Sequence, residues 1–274
     1  MAIQVVDDRG RAHDLRSPPR RVVSLVPSDT LSVAALGCAG ALVGRTDYCE
    51  LPGDVVARLP SLGGTKNPRL DEVCALQPDL VLANQEENTR SDLEELGRRG
   101  VRVFISFPRR VAAGLAHLAR LARLLGVERE PGVRDLVSRG YHALREAEEA
   151  RSHLTPLRAF CPIWMEPLMT VHGDTFISDM LDLCGAQNVF ADRERRYPRV
   201  TLEEVVARSP ELVLLPDEPH PFSEEDAAVF RRLDIPAARR GAIVRTAGKD
   251  LCWAGAQSVE GIARVRALVA QLAR

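Results

Sequence analysis

Residues 70–88 read LDEVCALQPDLVLANQEEN, and residues 202–220 read LEEVVARSPELVLLPDEPH. Overlaid, they share Leu70/Leu202, Glu72/Glu204, Val73/Val205, Ala75/Ala207, Pro78/Pro210, Leu80/Leu212, Val81/Val213, Leu82/Leu214 and Glu86/Glu218. Asp71 faces Glu203, and Asp79 faces Glu211. Each copy predicts a short helix, a Pro that ends it, an apolar strand (DLVLA, ELVLL) and a charged loop. Helix–Pro–strand punctuation is common in α/β chains, but here the acidic pair at each helix start matches too. Such self-similarity says that the chain holds two related units.

Strands and helices alternate on either side of the first copy. IQVVDD, a turn at Arg9-Gly10-Arg11 and a return to Ser17 read as a β-hairpin. RVVSL (21–25) reads as a buried strand, Val26–Thr30 as a loop with helix-capping chemistry, and LSVAALG as a helix stopped by Gly37. ALVG (41–44) is a second strand, and the loop PSLGGTKNP (60–68) feeds the first copy. Ser91–Gly97 is helical and VRVFI (101–105) is a strand. The alternation argues for a mainly parallel sheet with helices on both faces. Two longer helices follow, Val111–Leu125 and Gly132–Ser152. The second carries Pro131 at its start and, at about 1.5 Å per residue, is about 30 Å long.

The second unit repeats the plan. LRAFCPIWM is a strand, EPLMTVHGD a loop, and TFISDMLDLCG a helix capped by Asp174 and ended by Gly185. QNVF is the counterpart of ALVG, and ADRERRYPRV leads into the second copy. A helix at 223–232, the strand AIVRTA, a loop around Trp253 and a terminal helix from Ser258 complete it. No Gly/Ser-rich linker occurs. The expected organisation is an N-terminal α/β lobe over 1–128, a linking backbone helix over 129–154 and a C-terminal α/β lobe over 155–274.

Composition narrows the function. The 274 residues are 45% hydrophobic and 27% charged with a net charge of −1, which gives no reason to expect nucleic acid or an anionic membrane as partner. No apolar run reaches the roughly 18 residues of a membrane span. MAIQVVDDRGRAHDL is too charged for a signal peptide. The chain as written therefore reads as cytoplasmic, and as periplasmic or otherwise extracytoplasmic if a leader has been removed. Cys38, Cys49, Cys74, Cys161, Cys184 and Cys252 show no metal-ligand spacing and read as reduced thiols. The six His are too scattered for a three-His metal site. Ser24, Ser28, Cys161, His172 and Asp174 are the side chains from which a nucleophile and base could be assembled. However, no GxSxG elbow, P-loop or GxGxxG accompanies them.

Over nearly its whole length the chain resembles the helical-backbone substrate-binding proteins of ABC transporters. The resemblance is carried by RVVSLVPSDT…ALG, LGGTKNPRLDEVCALQPDLVLA, the long helix, GDTFISDMLDLCGAQNVF and YPRVTLEEVVARSPELVLL. Within that family it looks most like the vitamin B12 (cobalamin) binding proteins, through Asp47-Tyr48, the run at 61–71 and YPxV before the second copy. The resemblance implies two α/β lobes joined by one backbone helix, with a non-catalytic site for a metal chelate in the cleft between them. The implied ligand is a corrinoid (cobalamin or a precursor). Haem and ferric siderophores are the alternatives on the same scaffold. A tetrapyrrole chelatase-like enzyme and a cytoplasmic corrinoid carrier or sensor are the rivals. It is a ligand, not a prosthetic group, and no metal is bound directly.

The expected ligand contacts are Tyr48, Gly64, Asn67, Asn84, Trp164, Met169, Tyr197 and Trp253, with Met165 and Arg45 as further candidates. Aromatic and aliphatic faces suit a flat, partly apolar disc, and amides suit its polar arms. The resemblance also implies that one carboxylate per lobe docks to arginines of the ABC permease, here Asp71 and Glu203, with Glu72 and Glu204 beside them. A monomer is expected. There are two departures. Trp is absent near Gly63–Thr65 and near Asn84, and the family's disulfide at Cys184 has no evident partner in the terminal helix.

Overall fold

The first unit opens with the expected hairpin. β1 (Ile3–Val6) and β2 (Ala12–Leu15) pair antiparallel, Ile3 opposite Leu15, across a turn where Gly10 takes φ 77°. The computed structural model describes residues 3–273. The first unit takes residues 3–108, 113–140 and 254–257, and the second takes 109–112, 141–253 and 258–273.

A parallel four-stranded sheet forms the centre of the first unit. Its strands are β3 (Val22–Ser24), β4 (Leu42–Arg45), β5 (Leu80–Asn84) and β6 (Val103–Ser106), in the order β4-β3-β5-β6. The connecting helices are α1 (Pro27–Ala35), α2 (Gly53–Val56), α3 (Leu70–Ala75) and α4 (Arg90–Arg98). Leu80, Val81, Leu82 and Ala83 are all buried, as expected of a parallel strand covered on both faces. Val23, Leu25 and Val81 pack on one face with Val73 of α3 and Leu93 and Leu96 of α4. One boundary differs from expectation. Val26–Thr30 is not a loop, because α1 starts at Pro27. A Pro at the first helical position has the right φ and lacks only an N–H that would be orphaned anyway. α5 (Val111–Leu124) and α6 (Pro131–Ser152) follow, and α6 belongs to the first unit up to Gly140 and to the second from Tyr141.

In the second unit the apolar run 157–165 is not one strand. β7 (Leu157–Phe160) joins the central sheet, while β8 (Pro162–Trp164) leaves it to pair antiparallel with β9 (Met169–Thr170). Pro162 cannot donate to a central ladder, and the Cys161 carbonyl instead accepts the Thr170 hydroxyl at 2.7 Å. α7 (Phe176–Leu183), β10 (Ala186–Asn188), α8 (Leu202–Arg208), β11 (Leu212–Pro216), α9 (Glu224–Arg231), α10 (Pro236–Arg239), β12 (Ile243–Thr246), α11 (Gly248–Cys252) and α12 (Ala256–Leu272) complete the chain. α11 replaces part of the loop expected around Trp253, and α12 starts two residues before Ser258. Asp174 does not cap α7. Thr175 does, accepting the Ser178 amide.

The sheet order β10-β7-β11-β12 reproduces β4-β3-β5-β6 strand for strand. The likeness extends to a polar staple. In the first unit Asp79 accepts the amides of Arg20 and Arg21 at 2.8 and 3.0 Å, and the Arg21 guanidinium donates to the Leu76 carbonyl at 2.7 Å. In the second, Glu211 accepts the Arg158 amide at 3.0 Å, and the Arg158 guanidinium donates to the Arg208 carbonyl at 2.5 Å. The carbonyls so served are orphans at the ends of α3 and α8. Each helix closes on a left-handed residue, Gln77 (φ 46°) or Ser209 (φ 47°), directly before the shared Pro.

Candidate functional site

In each sheet the chain turns one way after the first central strand and the other way after its neighbour. Loops from the carboxyl ends of those strands are where an open α/β sheet offers a ligand site. In the first unit these loops follow β3, β4 and β5. The segment 60–69 is strapped to the end of β4, with Leu62 N–H to Arg45 O at 2.8 Å and Asp47 N–H to Gly63 O at 2.9 Å. Gly63 takes φ 92°, which a side chain would strain. At Gly64 an added Cβ would lie 2.4 Å from Asn67 Oδ1 and 3.4 Å from Tyr48 Cε2. Three predicted contacts, Tyr48, Gly64 and Asn67, are thus one cluster. Tyr48 is 64% exposed. Behind it the Cys49 thiol is buried between the hydroxyls of Thr30 and Thr46, at 3.1 and 3.2 Å. Burial pushes that thiol's pKa up.

Asn84 and Arg45 are less available than expected. Asn84 Oδ1 accepts the amides of Glu86 and Glu87, and its Nδ2 donates to Ser106 Oγ. Arg45 donates to the carbonyls of Val56 and Thr46. The residue missed by sequence reasoning is Asn88. It is buried, donates to the carbonyls of Leu25 and Thr65 at 3.2 and 2.9 Å, and accepts the Asn84 amide at 2.8 Å. One side chain therefore ties together the loops after β3 and β5 and the segment that carries Asn67.

In the second unit, Trp164, Met169 and Tyr197 share one ribbon. Trp164 pairs with Met169 across β8 and β9, and segment 196–200 is bridged to this pair through Thr170 N–H to Pro198 O and His172 N–H to Arg196 O, both 3.1 Å. Trp164 is 42% and Tyr197 38% exposed. The Trp164 indole N–H is held by Glu166 O at 3.0 Å, its ring lies 5.4 Å from that of His220, and the Arg196 guanidinium sits 6.0 Å over Tyr197. Beside the ribbon, Asp174 meets Arg109 at 2.6 Å, Arg196 at 3.5 Å and Arg110 at 3.8 Å. Partial burial works to raise its carboxyl, but the guanidiniums, Arg109 foremost, outweigh it and hold the group below the usual carboxylate range.

Trp253 is only 7% exposed, so it is not the open aromatic face that was expected. Lys249 Nζ lies 5.4 Å over its ring. Beside it, the Glu218 carboxyl takes the Cys252 thiol at 3.2 Å and faces Lys249 at 3.6 Å. Burial pushes Glu218 above the ordinary carboxylate value despite both partners.

Side chains weighed as nucleophile and base are buried or held locally within their own units. Cys161 is fully buried, with its thiol pushed up to about 12. Ser24 Oγ donates to Val26 O, and His172 Nδ1 accepts the Asp174 amide. Among the described residues none of the six cysteines forms a disulfide, and the Cys184 thiol meets the Ile262 carbonyl of α12 at 3.6 Å.

The acidic pairs differ within each copy. Glu72 is engaged by Arg69 at 2.6 Å, and Glu204 closes the capping box with Thr201 and also takes Arg193. Asp71 keeps 94% of its side chain exposed while touching Arg99 at 2.6 Å, and Glu203 is likewise exposed.

Two parallel-sheet units of one plan, with aromatic and amide side chains gathered on their strand-end loops, define the two-lobed α/β binding proteins. Residues 22–243 match the periplasmic binding protein family, and the chain belongs to that family. It is 29% identical to the vitamin B12-binding protein of Photorhabdus laumondii over 204 residues, covering 74% of this chain and 73% of that one. Among solved structures it is similar to the periplasmic vitamin B12 binding protein BtuF of Vibrio cholerae, with TM-score 0.79 and 20% identity over 94% of this chain and 99% of that one. It is similar also to the periplasmic heme-binding protein RhuT of Roseiflexus sp. RS-1 in apo form, with TM-score 0.80 and 20% identity over 94% and 100%.

Proposed function

We propose that this protein binds a corrinoid, cobalamin or a precursor, without transforming it, and delivers it to an ABC importer. The observation that carries this is the Tyr48–Gly64–Asn67 cluster. It presents an exposed ring beside an amide on a strapped loop, which suits a disc with amide arms. Trp164, Met169 and Tyr197 supply a second set of faces. The vitamin B12-binding relatives support this choice. Haem is the second reading, favoured by the three guanidiniums at Asp174, which suit a ligand edge bearing carboxylates. Asp71 and Glu203 are the proposed permease contacts, because they are the open members of their pairs: Asp71 stays 94% exposed despite its Arg99 contact, and Glu203 is exposed, whereas Glu72 and Glu204 are more covered by their own arginines. Delivery to an importer needs an extracytoplasmic location, whereas a cytoplasmic carrier does not; fractionating the full-length gene product separates the two.

The decisive experiment is a spectral titration with cyanocobalamin, cobinamide, haemin and a ferric siderophore. Cobalamin or cobinamide should bind more tightly than the other two. Haemin binding alone would move the protein to the second reading. Failure of all four to bind below about 1 mM, an affinity of only about 4 kcal/mol, would refute a chelate-binding role. Metal insertion into a free tetrapyrrole by the purified protein would point to a chelatase.

A further inference from the structure

An open depression of about 530 Å³ in the second unit is lined by Asp192, Arg193, Glu194, Arg195, Arg199 and Arg208. Two of its guanidiniums are already neutralised and fixed. Arg193 is paired with Glu204, and Arg208 with Asp192 at 2.9 Å. Both also lie over the Phe190 ring, each 5.4 Å from its centroid, so they form a fixed, charge-paired floor. Arg195 and Arg199 are different. Both are exposed, and among the described residues neither forms an ion pair or a side-chain hydrogen bond. The backbone at Arg199 is nonetheless held. Met169 and Arg199 are bridged, the Pro198 carbonyl takes the Thr170 amide at 3.1 Å, and Pro198 itself is buried. Two guanidinium forks thus stand free, that of Arg199 on a fixed ribbon, and Glu194 is the one lining carboxylate outside the two pairs.

We propose that this depression is an anion site for a phosphate or diphosphate group, with Arg195 and Arg199 as its forks. A planar guanidinium matches two oxygens of a phosphate, and two forks favour a ligand of charge −2 or more over a single carboxylate. The charged lining excludes an apolar occupant. The site does not depend on the chelate reading, since none of its lining residues is among the proposed chelate contacts. A free phosphate and the phosphate of a lipid headgroup present the same chemistry, and the test below separates them.

The intact protein is titrated with inorganic diphosphate by calorimetry, at low salt and at about 0.1 M salt, where charges are screened over about 10 Å. Saturable one-to-one binding is expected, weakened by salt. R195A/R199A should reduce affinity roughly tenfold or more, as expected for losing charge-assisted bonds. E194Q should increase it. Vesicles of phosphatidylcholine with and without phosphatidic acid form the second arm. Retention on the acidic vesicles that is lost in R195A/R199A assigns the phosphate to a lipid, whereas diphosphate binding without retention assigns it to a soluble ligand. No saturable binding below about 10 mM in either arm overturns the proposal. So does undiminished affinity in R195A/R199A. If that variant fails to fold, an unchanged affinity in E194Q overturns it instead.

Discussion

Replacing Asn88 with Ala tests whether one buried amide holds the first unit's candidate site together. The side chain makes three hydrogen bonds, to Leu25 O, Thr65 O and the Asn84 amide. At a net value of about 1 kcal/mol each, and with the freed groups partly buried, the loss should be about 2–4 kcal/mol. That is a large share of the roughly 5–15 kcal/mol that stabilises a domain. Asn88→Asp sharpens the test. It keeps the acceptor but sets a carboxylate against two carbonyls, which raises its folded pKa. Such a group is best tolerated while protonated, so N88D should lose stability as pH rises from about 4 to 7 and match or exceed the cost of N88A at pH 7. The assays are urea unfolding and native-state exchange of the Asn84 amide, which should open faster in both variants. Ligand affinity should fall too, because the Thr65 carbonyl lies two residues from Asn67. A cost for N88A below about 1 kcal/mol with unchanged Asn84 exchange would refute the reasoning.

Gly64→Ala should weaken ligand binding with little loss of stability, since its Cβ displaces only Asn67 and presses on Tyr48; fluorescence quenching together with a melting curve reads both. Glu218→Gln should stabilise the second unit at neutral pH. The folded-state carboxyl is raised by burial, so the native chain holds its proton longer than the unfolded one, and stability falls as pH climbs through that window; the Gln variant should show a flatter pH–stability profile between about 4 and 7. Arg21→Ala and Arg158→Ala should each destabilise by about 1–3 kcal/mol, because each strips a charged hydrogen bond from a helix-end carbonyl, and matched losses in chemical denaturation would support the symmetry. Asp71→Lys combined with Glu203→Lys should leave chelate affinity unchanged while abolishing stimulation of a cognate permease's ATPase. Equal stimulation would remove these residues from the docking role.

Much of the fold was legible because Pro78 and Pro210, each following a helical stretch, allow it no further turn, and because DLVLA and ELVLL are apolar on both faces. Asp79 and Glu211 were visible as matching acids, yet their partners Arg21 and Arg158 lie outside the matching stretches, so the staple appears only in three dimensions. The run LRAFCPIWM shows the limit of apolarity as a signal: hydrophobic residues say that a strand is buried, not which sheet it joins. Asp174 and Thr175 both have capping chemistry. Arg109 and Arg110, more than 60 residues away in sequence, draw off the first and leave the second as cap. In the site, Tyr48, Gly64 and Asn67 were legible as loop residues and do cluster, whereas Trp253 was misjudged because a large ring in a Gly-flanked segment reads the same whether covered or open.

Residues 254–257 belong to the first unit although both neighbouring stretches belong to the second. There the Ser32 hydroxyl, fully buried on α1, accepts the Ala256 amide at 3.1 Å, and Gly255 (φ 87°) leaves no room for a side chain against it. The consequence falls on biosynthesis. A ribosome delivers the amino-terminal half early, but the piece that completes it emerges only after nearly all of the other half has been made. The early half must therefore wait, nearly assembled, for its closing residues, and a nascent chain halted before Ala254 should be more open to protease around Ser32 than the finished protein.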